Sequence, residues 1–220
     1  MNRLAIFDCD GTLVDSGATI HRALLAAFDA HGLDCPQPNV SRKVIGLSLM
    51  EAMARLAPAA NHAALSRTYK DAFFAMRTGG EVEEPLFDGI LPLLDALEAE
   101  GWLLAVATGK SDRGLRHCLE SHGIYARFVS LQTADRHPSK PHPSMALAAI
   151  VEAGGAPETS IVIGDTSFDM GMALAAGAGA IGAGWGYHEA DELTAAGAHG
   201  IAAEPADVLA IASQWMEKAA

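Results

Sequence analysis

Short apolar runs alternate with stretches of helical period along most of this chain, and that alternation restricts the fold more than any other feature. Leu4-Ala5-Ile6-Phe7 is one such run, and Trp102 to Ala107, Phe128 to Leu131, Ile161-Val162-Ile163 and Ala178 to Ile181 are others. Helical segments follow or separate them. Ile90, Leu91, Leu93, Leu94 and Leu97 mark a helix ending at Gly101, and Ser111 or Asp112 would cap another running to about His122. Pro143 to Ala153, Phe168 to Ala176 and Pro205 to Met216 complete the set. Apolar strands separated by helices pair in parallel and are covered on both faces, so the expected class is α/β with a doubly wound parallel sheet.

One stretch breaks the rhythm. Between the first apolar run and the remainder lies a segment with no strand pattern. Ile20, Leu24, Leu25 and Phe28 form a helix stripe ended by Gly32, and residues 41–77 read as helical throughout. Gly79-Gly80, followed by Glu81-Val82-Glu83-Glu84-Pro85, is the linker back. The expected organisation is therefore a Rossmann-like core of residues 1–15 and 85–220, with residues 16–84 inserted as an all-helical cap.

Composition narrows the partners. The 220 residues are half apolar, enough for a sizeable core, and only 19% charged, which excludes disorder as the dominant state. Fifteen Lys and Arg against 27 Asp and Glu leave −12, so a nucleic-acid partner is not expected. A small phosphorylated metabolite is compatible, because a metal ion and a few donors offset local repulsion. Cys9, Cys35 and Cys118 form no disulfide framework and show no metal-ligand spacing. The uncharged stretch Met170 to Tyr187 has 18 residues but six glycines, and reads as a helix, a short strand and a loop rather than a membrane span. Asp8 is reached after only the short apolar run Leu4 to Phe7, which leaves no room for a signal peptide, and the expected location is cytoplasmic. The seven acids between Glu81 and Glu100 read as a solvated linker and helix face.

In an open parallel sheet, ligands bind beyond the carboxyl ends of the strands. Four loops would meet there: Asp8-Cys9-Asp10-Gly11-Thr12, Thr108-Gly109-Lys110, the loop holding Lys140-Pro141, and Gly164-Asp165-Thr166-Ser167-Phe168-Asp169. Carboxylates clustered at one sheet edge repel each other unless a cation sits among them, and hard oxygen donors fit magnesium. Lys140 adds charge for a phosphate. Thr108 and the amides after Gly11 and Gly109 can donate to phosphate oxygens. One free carboxylate can attack phosphorus in line, and a second, two residues on, can act as acid and then base.

The run Leu4 to Ser16 resembles the first signature of the haloacid dehalogenase superfamily, and the Thr108, Lys140 and Asp165…Asp169 loops resemble its other three motifs, in order. The resemblance implies that Asp8 is the nucleophile and forms an aspartyl-phosphate, and that Asp10 is the acid and base. It implies a magnesium ion held by Asp8, the Asp10 carbonyl and Asp165, with Asp169 as a further ligand or a neighbour of the ligands. Thr108 would bind the phosphoryl group and Lys140 would neutralise charge. Gly11, Thr12, Gly109 and Gly46 would face the substrate, Gly46 from a turn of the cap, although a glycine there also suits a simple helix break. Trp185-Gly186-Tyr187-His188 resembles a loop of phosphoglycolate phosphatase-like members. Asp15 and Ser16 read as caps of the first cap helix, and Lys110 as a structural or rim residue.

The implied function is a magnesium-dependent phosphatase of a small phosphorylated metabolite, such as phosphoglycolate or a sugar or nucleotide monophosphate, working as a monomer or homodimer. Dehalogenation is excluded, since the relatives that perform it lack the acid at position 10. A hexose-phosphate mutase is the enzymatic alternative, with Arg42, Arg55, Arg67 and Arg77 available for a second phosphate. A non-catalytic binding protein is the other, but it would be expected to have lost Asp8 or Asp10.

Overall fold

The computed structural model describes residues 1–219. Six strands form one sheet: β1 (Asn2–Phe7), β2 (Trp102–Thr108), β3 (Phe128–Thr133), β4 (Gly155–Gly164), β5 (Gly179–Ala183) and β6 (Gly200–Ala202). All neighbours are parallel, and the order is β3-β2-β1-β4-β5-β6. Ten α-helices accompany them among the described residues. These are α1 (Gly17–Ala30), α2 (Pro38–Arg42), α3 (Leu49–Leu56), α4 (His62–Thr78), α5 (Ile90–Ala99), α6 (Asp112–Ser121), α7 (Ser144–Glu152), α8 (Ser167–Ala176), α9 (Ala190–Ala195) and α10 (Val208–Ala219).

The period-two alternation of the strands divides the core into two layers. Ala5, Phe7, Leu104, Val106, Ile161 and Ile163 point to one face, where α5, α6 and α10 bury Leu93, Leu94, Leu97, Leu119 and Ala212. Leu4, Ile6, Ala105, Ala107 and Val162 point to the other, under Met145 and Ile150 of α7, Met170 and Ala173 of α8 and Leu193 of α9. Both faces of the central strands are thus dry, as continuous apolar runs require.

Helices α1 to α4 lie between β1 and α5 and hold a cluster of their own: Leu24, Ala27 and Phe28 of α1, Met53 of α3 and Leu65 of α4. The chain leaves the sheet unit and returns along one narrow ladder. The Asp15 amide donates to the Pro85 carbonyl (2.9 Å) and the Phe87 amide to the Leu13 carbonyl (3.0 Å).

Several local expectations need correction. Residues 41–77 are not one helical stretch. The chain turns through Lys43 to Ser48, where Gly46 has φ +95°, and again between α3 and α4. Ser48 and Asn61 cap the two restarting helices, Asn61 accepting from the Ala64 amide at 3.1 Å. Apolar spacing carries on across such caps, so periodicity alone does not reveal them. Leu25, counted in the α1 stripe, is 47% exposed, while Leu24 is 3% exposed. Helix α9 and strand β6 lacked a signal because one spans six residues and the other three. The last helix begins as a 3-10 turn, Pro205–Asp207, and becomes α-helical at Val208. Met170 to Tyr187 divides into α8, β5 and a loop, and no helix among the described residues is long and apolar enough to cross a membrane. All three cysteines are free, although Cys9 and Cys118 meet in the core with their sulfurs 3.9 Å apart.

The burial difference within α1 predicts that Leu24→Ala lowers stability by about 2–5 kcal/mol, while Leu25→Ala changes it by roughly 0.5 kcal/mol or less. Urea unfolding of both variants checks this; similar losses would contradict the packing of α1.

Candidate active site

The strand order reverses between β1 and β4, and a crevice opens beyond the carboxyl ends of strands at such a point. Asp8 follows β1 and Asp165 follows β4, so the two acids flank that crevice. Thr108 ends β2, and Lys140 comes from the loop between β3 and α7. The four loops expected to meet do so.

Lys140 is fully buried. Its Nζ lies 2.9 Å from Asp8 Oδ1 and donates to Asp169 Oδ1 at 2.6 Å. Burial opposes its charge, but Asp169 and Asp8 outweigh that and hold the ammonium above its ordinary range. Asp169 has a second task at the start of α8. Its Oδ2 accepts from the Thr166 amide (3.1 Å) and hydroxyl (2.7 Å), closing a capping box. Asp169 therefore caps a helix and anchors the lysine at once.

Asp8 Oδ1 also accepts from the Cys9 amide (2.6 Å), whereas Oδ2 is buried without any partner. Burial lifts the Asp8 carboxyl from 3.8 to about 7, against the pull of Lys140, and Asp169 and Asp10 add to the rise. Asp165 is also pushed well up, by burial first and then by Asp169 and Asp8. Its two oxygens accept from the Thr12 hydroxyl (2.8 Å) and the Tyr187 amide (2.9 Å). Gly11, at φ +85°, makes this approach possible, because a Cβ there would lie 2.2 Å from Asp165 Oδ2. The Trp185 indole closes the same corner by donating to the Thr12 carbonyl (3.0 Å). The Trp185 loop thus clamps the turn after β1 onto Asp165.

Asp8, Asp165 and Asp169 each present an oxygen within 4.8 Å of the others, all buried. The Lys140 ammonium pairs with two of these three carboxylates, one carboxylate oxygen is orphaned, and every candidate ligand atom is oxygen. These features fit a hard divalent cation. Both oxygens of Asp165 and of Asp169 already accept hydrogen bonds, so Asp8, through Oδ2, keeps the uncommitted oxygen of the three.

Some details differ from expectation. Ser16 does not cap α1 with its side chain; its hydroxyl donates to Asp10 Oδ1, and Asp15 instead accepts from the Gly17 amide (3.3 Å). The amides after Gly11 and Gly109 turn inward rather than toward a ligand. Thr12 N donates to the Cys9 carbonyl and Lys110 N to the Thr108 hydroxyl, both at 3.3 Å, because each lies in a tight turn. The Thr12 hydroxyl is likewise spent on Asp165. Thr108 is buried, and its hydroxyl accepts from the Lys110 amide. Gly46 does reach the crevice: a Cβ there would sit 3.2 Å from Thr166 Oγ1 and 3.6 Å from Asp8 Oδ2. Gly109 packs beneath the same turn, where a Cβ would meet the Leu47 carbonyl at 2.3 Å.

One site neighbour was missed and another only half read. Glu84 belongs to the acidic linker read as solvated, yet it is buried. Lys110, read as a structural or rim residue, is buried beside it and is not at the rim. The hint in the sequence was that Lys110 belongs to the Thr108-Gly109-Lys110 loop.

Comparison with known proteins agrees with this geometry. A sequence model of haloacid dehalogenase-like hydrolases matches residues 5–183. A probable phosphatase, IndB, of Dickeya dadantii (strain 3937) is 36% identical over 202 residues, covering 89% of this chain and 87% of that one. A phosphoglycolate phosphatase of Xylella fastidiosa (strain 9a5c) is 32% identical over 198 residues, covering 87% and 85%. The crystal structure of a predicted phosphoglycolate phosphatase from Haemophilus somnus superposes with a TM-score of 0.83 at 26% identity, over 96% of this chain and 97% of that one. The chain belongs to the haloacid dehalogenase-like hydrolase family. Within it, the chain is a phosphatase of the phosphoglycolate phosphatase-like kind.

The raised Asp8 carboxyl makes a signed prediction. Its folded value of about 7 exceeds the ordinary 3.8, so the metal-free fold binds more protons than the unfolded chain between those values and loses stability as pH rises through them. A divalent cation requires the ionised form. Magnesium should therefore raise the melting temperature more at about pH 8 than at about pH 5.5. Equal rises, or none, would contradict the cation site.

Proposed function

We propose that this chain is a magnesium-dependent phosphomonoesterase that hydrolyses a small alkyl phosphate of the phosphoglycolate type through a phosphoenzyme on Asp8. The observation that carries the reading is the buried, unpartnered Asp8 Oδ2, beside an oxygen held by Lys140. Such a carboxylate is oriented, desolvated and free on one side.

Asp8 Oδ2 attacks phosphorus, and the bond from phosphorus to the ester oxygen breaks. Asp10 gives its proton to the departing alkoxide. Asp10 then takes a proton from water as the water oxygen attacks the phosphoryl group. The bond between phosphorus and Asp8 breaks, inorganic phosphate leaves, and the Asp8 carboxylate is restored. Lys140 holds Asp8 oriented, and the Thr108 hydroxyl proton is available to a phosphoryl oxygen. Asp8, Asp165 and the Asp10 carbonyl would hold magnesium, with Asp169 alongside, and the ion would offset charge shared by the nucleophile and the phosphoryl oxygens.

In this reading residues 1–15 and 85–220 are the catalytic core and 16–84 the cap. The Gly46-Leu47 turn lies over Asp8, and the Ser48 amide donates to Ser139 Oγ (2.8 Å). That close cover favours a small substrate over a macromolecule. The relatives named phosphoglycolate phosphatase support the same class.

Phosphate release from a panel of phosphorylated metabolites, with magnesium or with chelator, tests the proposal. Asp8→Asn should abolish turnover while the protein still unfolds cooperatively, and Asp10→Asn should slow turnover ~10²–10⁴-fold. Appreciable release by Asp8→Asn, or release indifferent to chelator, would overturn it.

A further inference from the structure

Resting on the phosphatase reading, we propose that Lys110 is a positioning residue for Asp10, itself held by Glu84 of the returning linker. Lys110 Nζ lies 2.6 Å from Asp10 Oδ1 and donates to Glu84 Oε1 at 2.7 Å. All three side chains are nearly buried. The Ser16 hydroxyl donates to the same Asp10 oxygen. Among the described residues, no hydrogen bond falls on Asp10 Oδ2. Two donors thus pin one oxygen and leave the other for proton transfer.

Glu84 gives this arrangement its reach. An ammonium set against Asp10 alone would be free to swing toward the phosphate. Glu84 pulls it from the opposite side, and Arg77 at the end of α4 stands 3.8 Å from the other Glu84 oxygen. The line Arg77, Glu84, Lys110, Asp10 balances two cations against two anions. It runs from the last helix of the insertion, through the linker, to the acid. Lys110 therefore acts through Asp10 and does not itself grip substrate.

An acid matters most when the leaving group is a poor one. An alkoxide must be protonated as it departs, whereas p-nitrophenolate leaves readily without a proton. The test compares kcat/KM for phosphoglycolate and for p-nitrophenyl phosphate in the full chain with magnesium. Lys110→Met should lose about tenfold or more on phosphoglycolate and far less on p-nitrophenyl phosphate. Asp10→Asn should show the same bias, more strongly. Adding Lys110→Met to Asp10→Asn should cost nothing further, because a residue acting only through Asp10 has nothing left to position.

Equal losses on both esters, no loss on either, or losses that multiply in the double variant would overturn the proposal. If Lys110→Met does not fold, Glu84→Gln carries the same test: a bias toward the alkyl ester supports the proposal, and an even loss or none overturns it. A wild-type chain that hydrolyses neither ester fails at the earlier step, overturning the phosphatase reading and this proposal with it.

Discussion

The buried ammonium of Lys140 is the interaction on which the rest of this site depends. A charge taken fully out of water is costly unless several good partners surround it. Here Asp8 and Asp169 supply them from two different strand ends. Removing either partner would strand a buried charge, so the loops after β1, β3 and β4 are tied together electrostatically. Asp169 extends the tie into α8, because the carboxylate that holds Lys140 also caps the helix.

The same arrangement recurs one step along the chain. Among the described residues, Asp8 has a lysine on Oδ1 and nothing on Oδ2; Asp10 has a lysine on Oδ1 and no hydrogen bond on Oδ2. Each acid of the first loop is held by one oxygen and free at the other. The buried, uncommitted oxygen of Asp8 is unfavourable for folding unless a ligand completes it. Crowded acids also repel, which lifts the Asp8 and Asp165 carboxyls together. The site is thus strained toward cation and phosphate rather than toward stability.

Much of the fold was legible because its signals are local. Apolar runs of three to six residues located five strands, and Gly101 and Ser111 marked helix ends. What failed was short or tertiary. Helix α9 and β6 hold too few residues for a period to show. The breaks around Gly46 and before Asn61 were hidden because apolar residues continue on both sides of them. Glu84 looked like one more solvated acid; only the return of the linker beside Leu13 puts it under Lys110.

The sequence by itself determined the alternation of the first five strands with helices, the all-helical stretch between the first strand and the rest, and the residue types at each strand end. Those depend on spacing and chemistry within a few neighbours. Tertiary structure alone decided which oxygen of each carboxylate is free. It also decided that Ser16 serves Asp10, that the Thr12 hydroxyl serves Asp165, and that Glu84 and Lys110 pair. These contacts join positions as far apart as Thr12 and Asp165, and only the parallel sheet, by aligning its strand ends at one edge, brings them within hydrogen-bond reach.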